Sequence, residues 1–345
     1  GQLAVLNAPV QVADSAFTSA DGLVAEIDDV VRNRQTEELL EVVETPLNPV
    51  HWPMAFEFLN AAISTLWVDV SPNDAALRNT ELRRNLPIIL FATVAGVVLI
   101  FRGRRWSKMI VERLRLATSR GLGVWQFVIS LLRIVFPLIG LSLLAYASQK
   151  SGYLGEHGDQ LVIPVLGGLM LGFRWVSEQV FARDEDDALI VLDEKGRKEA
   201  RFLVSSITLF LVFDVLLQRI IDLANGTSLI KTIISFPFTL VISYAVYRIG
   251  RLLRQIDVDL TENDADRVST LGRLIQSLGT AAIGIAIAAP LLQAAGYYNA
   301  SSFLLFPTVL TLVILGLVLA LQRFGADVYG AVTGQGRQAR DALLP

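Results

Sequence analysis

Cysteine is absent from this 345-residue chain, and histidine occurs twice, at His51 and His157. Disulfide staples and thiolate chemistry are thereby excluded, and zinc sites of the usual ligand sets nearly so. Charge is scarce as well: 18% of the residues are Asp, Glu, Lys or Arg and the formal net charge is −3, so no basic excess favours a nucleic-acid partner. Glycine-rich phosphate loops and nucleophile–base motifs are missing; Gly121-Leu122-Gly123 and Gly167-Gly168 read as helix ends or close helix contacts. The residues predict neither catalysis nor a resident cofactor or metal. The chain opens at Gly1 with no charged segment leading into a short apolar run, and reads as processed or as a piece of a longer chain.

What the chain does have is apolar length. Hydrophobic residues make up 53% of it, the mean hydropathy is +0.51, and the charges cluster between apolar blocks, which is the pattern of an all-α polytopic membrane protein. Seven stretches approach the ~20 residues that cross hydrocarbon at ~1.5 Å per residue: 86–101, 122–148, 160–181, 202–223, 229–249, 274–297 and 301–321. Seven Lys and Arg lie in 102–121, six in 174–201, five in 248–273 and three in 323–345, whereas the alternate turns carry only Lys150 and Lys231. The basic loops are expected inside and the N-terminal 85 residues outside.

The outer turns each carry glycine followed by proline: Gly155 then Pro164, Gly226 then Pro237, Gly296 then Pro307. With Pro87 in the first span, these prolines predict helix starts or kinks in a repeat of three antiparallel hairpins after one leading span. The expected organisation is an outer helical segment at 1–70, a first span with a basic helix at 71–121, hairpins at 122–183, 184–249 and 250–322, and an inner tail at 323–345.

In the outer segment, Phe17, Val24, Ile27, Val31 and Leu39 share a helical face over 15–44, until the two prolines of Thr45-Pro46-Leu47-Asn48-Pro49 forbid continuation. That apolar face has no evident partner in the outer residues. From Trp52 to Trp67 a shorter apolar face reads as a helix lying on the outer membrane surface. Ser71-Pro72-Asn73-Asp74 is a helix start. His51 reads as an exposed loop residue and His157 as part of an outer turn. The acids at 184–187 lack the spacing of a calcium loop.

Two charge constellations stand out. Arg102, Arg104, Arg105, Trp106, Lys108, Arg113 and Arg115 belong to a basic amphipathic helix suited to membrane lipid. Arg133 and Asp214 each lie twelve residues from an inner span boundary, so equal depth predicts an intramembrane ion pair.

At Thr45-Pro46-Leu47-Asn48-Pro49-Val50-His51-Trp52-Pro53, followed by many paired spans, the chain resembles the large, MscK-like members of the MscS-like mechanosensitive channel family. That resemblance implies a bacterial inner-membrane homo-oligomer, usually a heptamer, with a periplasmic N-terminal segment and peripheral helices that sense tension. It implies a pore supplied by sequence after Pro345, and no pore residue can be assigned in this chain. A multipass scaffold or a transporter-like subunit is the alternative reading. The prolines lie nearer the outer ends than the midplane where transporters break their helices, which disfavours transport.

Overall fold

The computed structural model describes residues 2–68, 72–115, 122–150, 162–181, 193–255 and 265–333. Among them the chain is helical without strands: α1 (Gln2–Leu39), a single 3-10 turn (Pro49–His51), α2 (Trp52–Val68), α3 (Pro72–Arg115), α4 (Leu122–Lys150), α5 (Val162–Val180), α6 (Glu194–Leu223), α7 (Ser228–Arg254), α8 (Ala265–Ala294) and α9 (Tyr298–Thr333). Six of the described helices, α3, α4 and α6 to α9, are long and apolar enough to cross a membrane, making this an all-α polytopic membrane protein. The expected seventh, α5, falls short because its last turns carry Arg174 and Glu178. It nevertheless runs antiparallel along α4: Gly167 and Gly168 lie against Leu141 and Leu138, and Trp175 lies against Ser130.

Several boundaries move for identifiable reasons. The leading span and the basic helix are one 44-residue helix, α3, because Gly103 is a packing position and no break: a Cβ there would sit 2.6 Å from Cβ of Phe136 on α4. α6 starts eight residues before the apolar run, since Asp193 caps it by accepting from the Gly196 amide at 2.9 Å. A Lys198–Glu194 pair then follows in its first turns. α9 continues twelve residues past its expected end, so part of the expected tail at 323–345 is helix. Of the four prolines of the expected repeat, only Pro164 lies in the first turn of a helix. Pro87, Pro237 and Pro307 lie inside α3, α7 and α9, and the last two each occupy the tenth helical position, so the repeat is visible in the last two hairpins alone.

The tightest pairs also differ from the expected ones. In lipid the hydrophobic effect does not drive helix to helix, and close approach of small residues does. α3 is no lone leading span, because it crosses α4 at Gly96 and Gly140: a Cβ on either would lie 2.8 or 2.7 Å from the other's carbonyl oxygen. Gly250 and Gly279 repeat the device between α7 and α8, at 2.8 and 2.9 Å. α7 is central, with 61% of its apolar window buried, and α3 is peripheral, with 17%. Around α7 the core takes Leu203 and Ile207 from α6, Ala282 and Ala286 from α8, and Leu305 and Val309 from α9.

Candidate functional site

The N-terminal segment is fastened to the α6–α7 and α8–α9 turns, at one end of the bundle. α1 ends at Leu39, earlier than the expected 44, because the chain beyond it bonds elsewhere: the Val43 amide donates to the Gly296 carbonyl at 3.0 Å. Thr45 Oγ1 donates to the Ala294 carbonyl at 2.6 Å, and Asn299 Nδ2 donates to the Glu38 carbonyl at 2.8 Å. The α8–α9 turn can approach this closely because Gly296 has φ +98° and no side chain; a Cβ there would lie 2.1 Å from the Val43 carbonyl oxygen. Trp52 Nε1 donates to the Pro46 carbonyl at 2.9 Å, and Pro46 is fully buried. His51, expected to be exposed, has a side chain 24% exposed with Nε2 2.7 Å from Glu44 Oε2.

The helix expected at 52–67 is present as α2 and also packs on the bundle. It seats Ala55, fully buried, and Phe58 against Ile221, Ile230 and Ile233 of α6 and α7. At the α6–α7 turn Asn225 has φ 54°, and a Cβ on Gly226 would meet the Phe58 ring at 3.0 Å. The apolar face of α1 remains uncovered, with Phe17, Val24, Ile27 and Val31 all exposed.

Beneath these turns lies a buried polar layer. Asp214 of α6 is 2% exposed and is hydrogen-bonded by Ser235 of α7 and Gln218, while its Oδ1 has no protein partner. Tyr298 of α9 hydrogen-bonds with Ser235 and Ser302, which extends the layer to a third helix. Gln293 of α8, fully buried, donates through Nε2 to the Thr232 carbonyl at 3.1 Å, and Gln218 Nε2 lies 3.3 Å from the Lys231 carbonyl. Neutral donors therefore surround the carboxyl group, and the layer ties α6 through α9 together at one level.

Arg133 is not in that layer, so the expected Arg133–Asp214 pair is not formed. Equal depth fails because α4, at 29 residues, is ~43 Å long and overruns the ~30 Å hydrocarbon thickness, so counting from its first residue overstates depth. Arg133 shares a cavity lining with Arg174 and Trp175, in the last two turns of α5. Asp214 lies nine residues before the opposite end of α6, ~14 Å from it. Arg133 instead lines a cavity of about 430 Å³ with Arg105 of α3 and Arg174 of α5.

At that same end Arg248 of α7 bonds Glu199 of α6, with Nε donating to Oε1 at 2.7 Å. Arg201 donates to the Phe181 carbonyl, joining α6 to the end of α5. The sequence offers no sign of the Glu199–Arg248 pair, since the partners lie 49 positions apart. Among the expected lipid contacts, Arg102, Arg105 and Trp106 are exposed on α3. The side chains of Arg104, Lys108, Arg113 and Arg115 lie outside the described residues, as do His157 and the acids at 184–187. No group of three His, Asp or Glu able to hold a metal occurs among the described residues.

Residues 10–71 match a family described as a protein of unknown function, DUF3772. The matched stretch takes in most of α1, the 40–51 connection and α2, and so includes the part of the chain that docks on the α6–α7 and α8–α9 turns. Neither the curated proteins nor the solved structures yield a match to the chain.

Proposed function

We propose that this chain is the tension-sensing membrane region of an MscS-like mechanosensitive ion channel of a bacterial inner membrane, assembled as a homo-oligomer with its N-terminal segment periplasmic. The observation that carries the reading is the contrast between α3–α4 and α7. The former is a glycine-zipped, mostly lipid-facing hairpin; the latter is the buried centre of a layer fastened to the outer segment. A stimulus shifts an equilibrium only through a differential interaction with its two states. A hairpin bounded by lipid on one side and by a polar cleft on the other can change its lipid contact without unpacking the core. The test is patch recording under graded suction on the complete reading frame, in cells lacking channels of their own, with and without 83–150. That deletion removes two antiparallel crossings and so preserves the orientation of the helices after it. The expected result is a stretch-activated current whose gating tension changes on deletion. Absence of any current up to membrane rupture overturns the reading in favour of a scaffold.

Orientation has its own test. Cysteines placed at Thr227 and Ala295, in the turns below the outer segment, are expected to react with an impermeant thiol reagent from outside intact cells. Those at Lys195 and Gln255, at the basic end, are expected to react only after lysis. All four positions are exposed, so silence reports sidedness and not burial. Labelling of Lys195→Cys in intact cells reverses the topology.

A further inference from the structure

The arginine cleft between α3, α4 and α5 has more positive charge than its own residues neutralise. Arg105, Arg133 and Arg174 reach it from three helices, and the one carboxylate lining it is Glu178. Glu178 is already committed, accepting from Arg174 Nε at 3.0 Å. Among the described residues neither Arg105 nor Arg133 meets an acid, and both are exposed. The floor is fixed and satisfied: Trp175 Nε1 donates to Ser130 Oγ at 3.0 Å, and Ser130 donates to the Phe127 carbonyl at 2.6 Å. The Phe127 ring packs edge-on against Trp175 and stacks on Phe324 of α9 at 4.3 Å. The volume of about 430 Å³ lies within the ~300–1,000 Å³ of small-molecule sites. The unspent donors there are guanidinium groups, whose planar forks match phosphate oxygens in pairs.

The exposed side of α3 that ends at Arg105 identifies the kind of phosphate. Leu90, Val94, Val97 and Phe101 follow one another at helical spacing of three or four on α3, all exposed, Phe101 by 77%. One turn beyond Phe101 the same face arrives at Arg105. An apolar stripe about three turns long that ends on an arginine is complementary to an acyl chain followed by a phosphodiester. A free phosphate would have no use for the stripe.

We infer that the cleft binds the headgroup phosphate of an anionic phospholipid, with Arg105 and Arg133 as its principal ligands, Arg174 held beside them by Glu178, and the acyl chain along α3. The site rests on the membrane placement of the bundle and is independent of tension sensing.

The test uses the whole chain, purified in detergent, with phosphatidylglycerol, phosphatidylcholine or inorganic phosphate added. Bound lipid is counted by native mass spectrometry. Phosphatidylglycerol is expected to be retained in preference to phosphatidylcholine and not displaced by millimolar phosphate. Arg105→Gln with Arg133→Gln is expected to lower its affinity about tenfold or more, since each lost charge-assisted contact is of that order. Arg254→Gln, an exposed charge at the same end, is expected to leave it unchanged. Arg133→Lys keeps the charge but not the fork, and an intermediate loss is expected. Equal retention of the two lipids, or of phosphatidylglycerol by the double variant, overturns the site. Competition by inorganic phosphate overturns the lipid as its source. Should the double variant not elute as a folded species, the wild-type comparison of the two lipids and phosphate decides alone.

Discussion

Valine at position 296 is expected to release the N-terminal segment from the membrane helices. Gly296 has φ +98°, a region closed to a β-branched residue at a cost of about 1–3 kcal/mol, and its Cβ would enter the van der Waals shell of the Val43 carbonyl. The turn and the docked segment cannot both persist. If the turn holds, Val43, Thr45 and Glu38 lose their bonds to 294–299 together, because the three lie on one rigid approach. Hydrogen exchange is the direct readout. Amides in 40–51 are expected to exchange about tenfold faster or more in Gly296→Val, with α7 and α8 unaffected. Thr45→Ala removes one bond and is expected to give a smaller change, of about 1 kcal/mol. Unchanged protection in Gly296→Val would show that the contact with the turn does not hold the segment. In the proposed channel, the same variant would test whether the outer segment biases gating.

Leucine at Gly250 or Gly279 is expected to produce the largest loss of stability in the bundle. Each glycine's missing side chain would point at the other's carbonyl oxygen, under 3 Å away, and a backbone atom inside a packed pair cannot rotate aside. The helices must separate, and α7 is the most buried span. Overpacking of this kind costs about 1–3 kcal/mol and sometimes more. The expected consequence is a fall in Tm of roughly 3–6 °C in detergent, with part of the protein eluting as aggregate. Gly284, on the same helix, has nothing within 4 Å of an added Cβ. Gly284→Ala is therefore expected to be neutral or to stabilise by up to about 1 kcal/mol through helix propensity. A Gly279→Leu protein as stable as Gly284→Ala would mean that α7 and α8 do not meet at this crossing.

Lateral distance separates what could be read along the chain from what could not. Arg133 and Asp214 sit at similar offsets from inner boundaries, and offset along a helix is all that periodicity reports. Which neighbours a helix has, and how far it protrudes before entering the bundle, depend on crossings made elsewhere. The crossings at Gly96 with Gly140 and at Gly250 with Gly279 join residues more than 25 positions apart, and nothing in either local window distinguishes them from glycines such as Gly172 that meet no neighbour. Gly167 and Gly168 were legible as packing positions because adjacent small residues inside an apolar run have few other uses.

By itself the sequence determined the class of the protein and the course of its helices. Apolar runs of membrane length must satisfy their backbone groups internally, which leaves helices, and the Thr45 to Pro49 segment must interrupt them because proline lacks the amide donor. It also isolated the arginine-rich stretch after Phe101, since charge is excluded from hydrocarbon whatever the fold. Tertiary structure alone decided which helices pair, that the N-terminal segment docks on the α6–α7 and α8–α9 turns, and that Arg133 joins Arg105 and Arg174 while Asp214 stays among neutral donors. Those outcomes turn on contacts of a few ångströms between distant positions, and such contacts depend on crossing geometry and side-chain volume, which local composition does not encode.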